Sequence, residues 1–391
     1  MFRDGLTFIN AQMGGDAATL RIRGSSIAAL GEGPRAGDRV VDLQGDRLLP
    51  GLINAHDHLQ LNTLPDLKSV TRYRHVREWI ADINTRRQSD PAFEARVAVP
   101  RDERLAIGGI KNLLSGVTTV AHHDPLYPSL LNPYFPTRVV TDYGWSHSLY
   151  IDGEQKVRAA YRSTPPEWPW IIHAAEGLDQ EAADEFERLD ALGCIGPRTL
   201  IVHGIALDRA QRLRLERARA GLIWCPSSNL RLFGRTADIT DLIVAGRVAL
   251  GTDSRLSGAR DLLEELGVAA DTGGLDDSTL QSLVTHHSAR LLRLSDRGAL
   301  RVGARADILI LPAHMPLARA CRTDVRLVML EGIARYGDKD YAQSTAPISH
   351  WVEVRVDGRT KMLDSNLAAI LSSASAREEG VELANLTWRA A

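Results

Sequence analysis

The 391 residues are 44% hydrophobic and 25% charged, an ordinary balance for a folded globular chain. That length exceeds a single small core and predicts one large domain with an appendage, or two domains. With 47 basic and 49 acidic residues the chain is close to neutral, which argues against a general nucleic-acid or anionic-membrane surface.

Residues 1–51 read as short strands and turns. Leu6–Ile9, Thr19–Ile22 and Ser26–Leu30 are separated by glycine and aspartate, a small all-β texture. The apolar run Leu48–Ile53 ends in Asn54-Ala55-His56-Asp57-His58. A helix from about Asp102 to Leu114 leads to the strand Gly116–Ala121. Between His123 and Trp170 only Arg138–Thr141 reads clearly as a strand, with a short polar alternative around Gly144–His147. Then Trp170–Ile172, a helix over Glu181–Leu192, Thr199–Val202, a helix over about Asp208–Ala220, Gly221–Trp224 and Arg247–Leu250 alternate. Such alternation of short apolar strands with helices predicts a parallel sheet buried on both faces. Its extent, residues 52–300, suits a closed (β/α)8 barrel. Late strands at Ala306–Leu311, Val325–Leu330 and Trp351–Val356 place a second β segment at 301–360, pairing with the first. Residues 361–391 read as a C-terminal extension with a helical patch at Asn366–Leu371.

In such barrels the reactive groups stand at the C-terminal ends of the strands. Here those ends carry His56 and His58, then His122-His123-Asp124, then His173 with Glu176 three residues on, then His203, and finally Gly251-Thr252-Asp253-Ser254. One histidine at a strand exit is ordinarily structural; five polar exits of this kind argue for a site. In an extended strand residues i and i+2 share a face, so His56 and His58 can reach one ion. With His173 and Asp253 they make the nitrogen-rich, single-carboxylate set that zinc prefers, with a position left for water. A base must move the water's second proton, and Glu176 is placed for it. Asp253 can hydrogen-bond the attacking water, and His203 can polarise the atom under attack. Of His122 and His123, one is expected to face the pocket and the other to pack behind it. Gln60, Asn62, Trp145, His147 and Tyr150 are candidate pocket residues, and His286 and His287 read as structural.

These pieces together resemble the amidohydrolase superfamily, in the branch of cytosine, guanine and adenosine-type deaminases and triazine chlorohydrolases. The matching motifs are Pro50–His58, Gly116–Thr119, His173–Glu176, Val202–Gly204, Cys225-Pro226-Ser227-Ser228-Asn229, Leu250–Ser254 and Gly303–Leu309. The resemblance implies a distorted (β/α)8 barrel with a small β-sandwich built from both termini. It implies metal binding by His56, His58, His173 and Asp253, and catalysis by Glu176, His203 and Asp253. His147-Ser148-Leu149-Tyr150 is similar to a His-Ser-Pro-Tyr element whose histidine contacts substrate; His147, Gln60 and His123 are carried as substrate-binding candidates. Members that bridge two metals do so with a carboxylated lysine, and this chain has no lysine between Lys156 and Lys339. One divalent ion is therefore expected, zinc first, with Fe2+ or Mn2+ as substitutes.

The implied activity is hydrolytic deamination of an amino-substituted N-heterocycle of purine, pyrimidine, pterin or triazine type, a metal-activated water attacking the C–N bond. The same residues would serve a chlorohydrolase, an alkylaminohydrolase or a cyclic-amide hydrolase. A non-catalytic scaffold relative is disfavoured because no ligand is missing. Cys194, Cys225 and Cys321 are too few for a disulfide framework and read as reduced thiols of a cytoplasmic protein. Met1–Gly5 lacks a leader pattern, and no apolar run reaches the ~20 residues of a membrane span. Expected partners are a small heterocyclic substrate and, from the family, a second copy in a homodimer, with no nucleic acid and no membrane.

Overall fold

In the computed structural model, residues 5–14, 16–66, 68, 70 and 72–383 are described. Residues 1–4, part of the leader reading, and 384–391, part of the expected extension, lie outside the described residues.

Eight strands run parallel through the middle of the chain: β1 (Leu52–Asp57), β2 (Val117–His122), β3 (Arg138–Val139), β4 (Gly144–Ser148), β5 (Trp170–Ala174), β6 (Thr199–His203), β7 (Gly221–Trp224) and β8 (Val248–Leu250). β1–β3 form one sheet and β4–β8 another, each in sequence order. A parallel bridge between Asp57 and Asp253 ties the end of β1 to the turn after β8. The stretch 124–170 therefore holds two strands: β3 is only two residues long, and β4 is Gly-Trp-Ser-His-Ser. Polarity and brevity hide both from a pattern search tuned to apolar runs.

The strands are apolar on both faces because both faces are covered. Ile171, Leu200, Val202, Ile223 and Ala249 pack together on one side with Leu291 and Leu292. Trp170, Ile172, Ile201, Leu222, Trp224, Val248 and Leu250 pack on the other against the helices. Those helices start where aspartates cap them: Asp179 accepts from Ala182 N, Asp208 forms a reciprocal capping box with Gln211, and Asp261 accepts from Leu263 N and Glu264 N.

The two ends of the chain meet in a single eleven-stranded sheet. Arg47–Pro50, which runs into β1, pairs antiparallel with Ile308–Leu311. Alternate residues divide the work: Ile308 and Ile310 enter the sheet's own core with Phe8, Ile22, Leu48 and Met329, while Leu309 and Leu311 join the core shared with the helices. Of the segment expected as an extension from 361, the described residues up to 383 return to this sheet. Arg359–Asp364 is a strand, Ser365–Ser373 a helix, and Val381–Leu383 pairs with Trp351–Val356.

Candidate active site

The histidine pair points inward because β1 is irregular. Ile53 and Ala55 belong to the inner cluster, so a regular strand would turn Asp57 inward and both histidines outward. Between Asn54 and Asp57 the register against β2 slips, three residues opposing two, and the faces exchange. Asp57 then faces the helix Arg101–Leu114. There, wholly buried, it takes bonds from Lys111 Nζ (3.1 Å), Asn112 Nδ2 (2.8 Å) and Asn62 Nδ2 (2.7 Å). β4 also slips, opposite β5, at His147. The His147 carbonyl accepts from His173 Nδ1 at 2.8 Å.

His56, His58, His123 and His173 form one buried group whose ligand atoms lie within 4.8 Å of one another. His173 Nε2 is 3.2 Å from His56 Nε2 and 3.4 Å from His58 Nε2. His173 commits its Nδ1 proton to a carbonyl, and His58 Nδ1 meets Asp124 Oδ2 at 2.6 Å. Both Nε2 atoms are thus left with lone pairs aimed at a common point, an arrangement that suits a cation. Asp253 Oδ1 lies 3.7 Å from Nε2 of both His56 and His58. Its other oxygen accepts from Ser228 Oγ and Ser257 Oγ, each at 2.7 Å. Three imidazole nitrogens and one fixed carboxylate oxygen are donors that zinc takes, and the ion accepts a water as a fifth, so the residues present fit a divalent ion. Lys111, bound to Asp57 on the helix side, stands away from this donor set.

The electrostatics favour neutral donors at His56 and His173 and a protonated His58, whose Nε2 proton a cation would displace. Burial pulls the His56 imidazole down to about 4 and lowers His173 well below the usual range. His58 would fall too by burial, but the Asp124 carboxylate reverses this and holds it up at about 9. Asp253 stays ionised despite its burial, because His56, His203 and His58 surround it. Glu176 is the opposite case: burial, with Asp253 and Glu185 nearby, pushes its carboxyl well above the usual range. Its Oε1 lies 3.5 Å from His203 Nε2. His203 Nδ1 is bound to Asn229 Oδ1 at 2.8 Å, which leaves Nε2 as the acceptor facing Glu176. Ala175, His203 and Asp253 all have left-handed backbones, with φ of 55°, 72° and 56°. Such conformations cost a non-glycine residue about 1–3 kcal/mol each and gather at functional sites.

The substrate candidates divide. His123 stacks on His173 with ring centroids 4.3 Å apart and places Nε2 3.0 Å from Ser146 O. His122 packs behind, taking the amide of Leu59. The His147 ring lies 4.9 Å from that of His173, and Trp145 meets His123 edge-on. Gln60 Nε2 donates to Asp124 Oδ2 at 2.7 Å, so it steadies the carboxylate behind His58. Asn62 is not a pocket residue; it is buried in the Asp57–Lys111 knot. Tyr150 is exposed beneath the Arg77 guanidinium. The supporting residues Asp124, Ser228, Asn229 and Ser257 received no role from sequence alone. The first three lie within quoted motifs, but nothing in their spacing says which ligand each one holds.

Residues 170–335 match the model of the amidohydrolase family. A 5-methylthioadenosine/S-adenosylhomocysteine deaminase of Haloarcula marismortui is 26% identical over 343 residues, 75% of this chain and 79% of the relative. An atrazine chlorohydrolase of Arthrobacter aurescens TC1, solved in complex with zinc, superposes with a TM-score of 0.67 at 20% identity, covering 84% of this chain and 94% of its own. An adenosine deaminase of Xanthomonas campestris with bound zinc gives 0.68 at 19% identity, covering 85% and 93%. The two solved structures share the fold.

Proposed function

From the match of residues 170–335 to the amidohydrolase family model, we propose that this chain is a mononuclear metal-dependent deaminase of an amino-substituted N-heterocycle. The two parallel sheets are read as arcs of one distorted barrel over residues 52–300. The termini supply its β-sandwich from 1–51 and 301–360, with the strand and helix beyond 361 attached. The observation that carries the reading is the convergence of the His56, His58 and His173 Nε2 atoms beside a doubly anchored Asp253. A relative that acts on a purine nucleoside thioether supports the heterocycle class.

His56, His58, His173 and Asp253 would hold the ion. It would supply Lewis acidity and bring a water's pKa from 15.7 toward about 7. Asp253 orients the attacking water through Oδ1, the oxygen that Ser228 and Ser257 leave open. Glu176, in a dry pocket, accepts that water's proton and passes it to the departing nitrogen, so one carboxyl serves both transfers. His203, fixed by Asn229, presents Nε2 at the reacting ring and balances the charge that develops there. His123 and His147, lying over His173, contact the substrate.

The test is an ammonia-release screen of the zinc-loaded protein against purines, pyrimidines, pterins and triazines, repeated with Glu176→Gln. The variant should bind zinc as wild type does and lose at least about 100-fold in kcat. Turnover without ammonia would replace deamination by dechlorination or amide hydrolysis. A Glu176→Gln enzyme near wild-type rate would refute the proton shuttle.

A further inference from the structure

A buried polar relay runs from the C-terminal segment to the metal-binding strands. Glu378 lies in the loop between the helix Ser365–Ser373 and the strand Val381–Leu383, and its side chain is fully buried. One carboxylate there joins two arginines. It takes Arg255 in a fork, Nη2 to Oε1 at 2.9 Å and Nη1 to Oε2 at 3.2 Å. It also takes Arg322 Nη1 at 2.6 Å. Arg322 is itself buried and anchored on Asp357.

Arg255 follows Asp253 by two residues and pins the turn after β8. Its Nη2 donates to Arg260 O at 3.1 Å, closing the turn that holds Ser257, whose hydroxyl fixes Asp253 Oδ2. Its backbone N–H donates to Asn62 Oδ1 at 3.0 Å. Asn62 in turn donates to Asp57 Oδ1 at 2.7 Å and accepts from Lys111 at 2.8 Å. Asp57 is the residue between His56 and His58. Three consecutive hydrogen-bonded links therefore connect Glu378 to the residue between His56 and His58, and a branch at Arg255 connects it to the turn that bears Asp253.

We infer that Glu378 is a positioning residue of the metal centre, acting through Arg255 and Asn62. The inference rests on the metal-site reading above. Its physical basis is charge. Without the carboxylate, the Arg255 guanidinium loses its ion pair beside the like-charged Arg322, which keeps Asp357, and Arg255 must leave its place. The turn bearing Asp253 and the Asn62–Asp57 contact then lose their common anchor. Partners bonded directly to a metal ligand typically govern affinity by about 10- to 100-fold, and a residue several links further out acts at or below the lower end of that range.

The experiment measures Zn2+ affinity by chelator competition, and the visible spectrum of the Co2+-loaded protein, for wild type, Glu378→Gln and Arg255→Lys. Arg255→Lys keeps the charge but loses the fork, so it serves should Glu378→Gln fail to fold. Asp38→Asn is the control. It breaks a buried pair with Arg21 at 2.7 Å in the N-terminal part of the terminal sheet, remote from the site. Both relay variants should bind zinc more weakly, by up to about 10-fold, and change the Co2+ bands. Asp38→Asn should lower thermal stability with the zinc affinity unchanged. Wild-type zinc affinity in a folded relay variant, or a loss no larger than that of Asp38→Asn, overturns the positioning role. A wild-type chain that binds no divalent ion overturns the metal-site reading, and this inference with it.

Discussion

Glu185 shows how a residue outside the pocket shapes it. From the helix Gln180–Ala191 its Oε2 accepts the amide of Ala175 at 2.7 Å. Ala175 is the left-handed residue that turns the chain from His173 to Glu176. Burial raises the Glu185 carboxyl to about 7. The unfolded chain loses this proton near roughly 4.3, so between there and about 7 the native state holds more protons and stability falls as pH rises. Above about 7 both states are ionised and the term is constant. Glu185→Gln has no such dependence. Its melting temperature relative to wild type should climb from pH 4.5 to 7 and level off above; a pH-independent difference would show that the group titrates normally. Sequence marks the reacting residues, since His56, His58, His173, Glu176, His203 and Asp253 all sit at strand exits. It does not mark Glu185: the helical period puts it on the buried face with Ala182, Phe186 and Leu189, but says nothing of the backbone amide it meets there.

At the scale of elements, local preference and tertiary contact pull apart. Gly108 lies in the helix Arg101–Leu114, where alanine would be favoured by about 1 kcal/mol. A Cβ at this position would stand 2.2 Å from the Leu59 carbonyl oxygen, in the turn directly after His58. Backbone cannot yield as a side-chain tip can, so the clash outweighs the propensity. Gly108→Ala should destabilise by about 1–3 kcal/mol in denaturant unfolding; a gain in stability would show the turn to be freely displaceable. The helices and the longer strands were legible from period and capping. The register slips in β1 and β4 were not, since a bulge inserts one residue without altering the hydrophobic pattern that announces the strand. Yet the β1 slip decides which face His56 and His58 occupy.

Across the whole molecule, the sheet made by the termini and the parallel strands share one continuous apolar core. No helix among the described residues is long and apolar enough to cross a membrane. An ion held by groups from β1, β5 and the turn after β8 would tie together parts of the chain nearly two hundred residues apart. Removing zinc with a chelator should therefore lower the unfolding temperature. Restoring it at a free concentration about 100 times its Kd should add about 2.7 kcal/mol. An unfolding temperature indifferent to chelation would indicate that no such ion is bound.

The amino-acid sequence alone determined the alternation of strands and helices, the return of the C-terminal part to the N-terminal strands, and the chemistry available at the strand exits. Those properties follow from residue type and spacing, which are local. Only the tertiary structure decided that Asp124 backs His58, that two serine hydroxyls aim Asp253, and that Glu378 pairs with Arg255 in the turn after β8. These depend on which buried polar groups meet, and in a dry interior each must find its partner across distances that spacing along the chain does not encode.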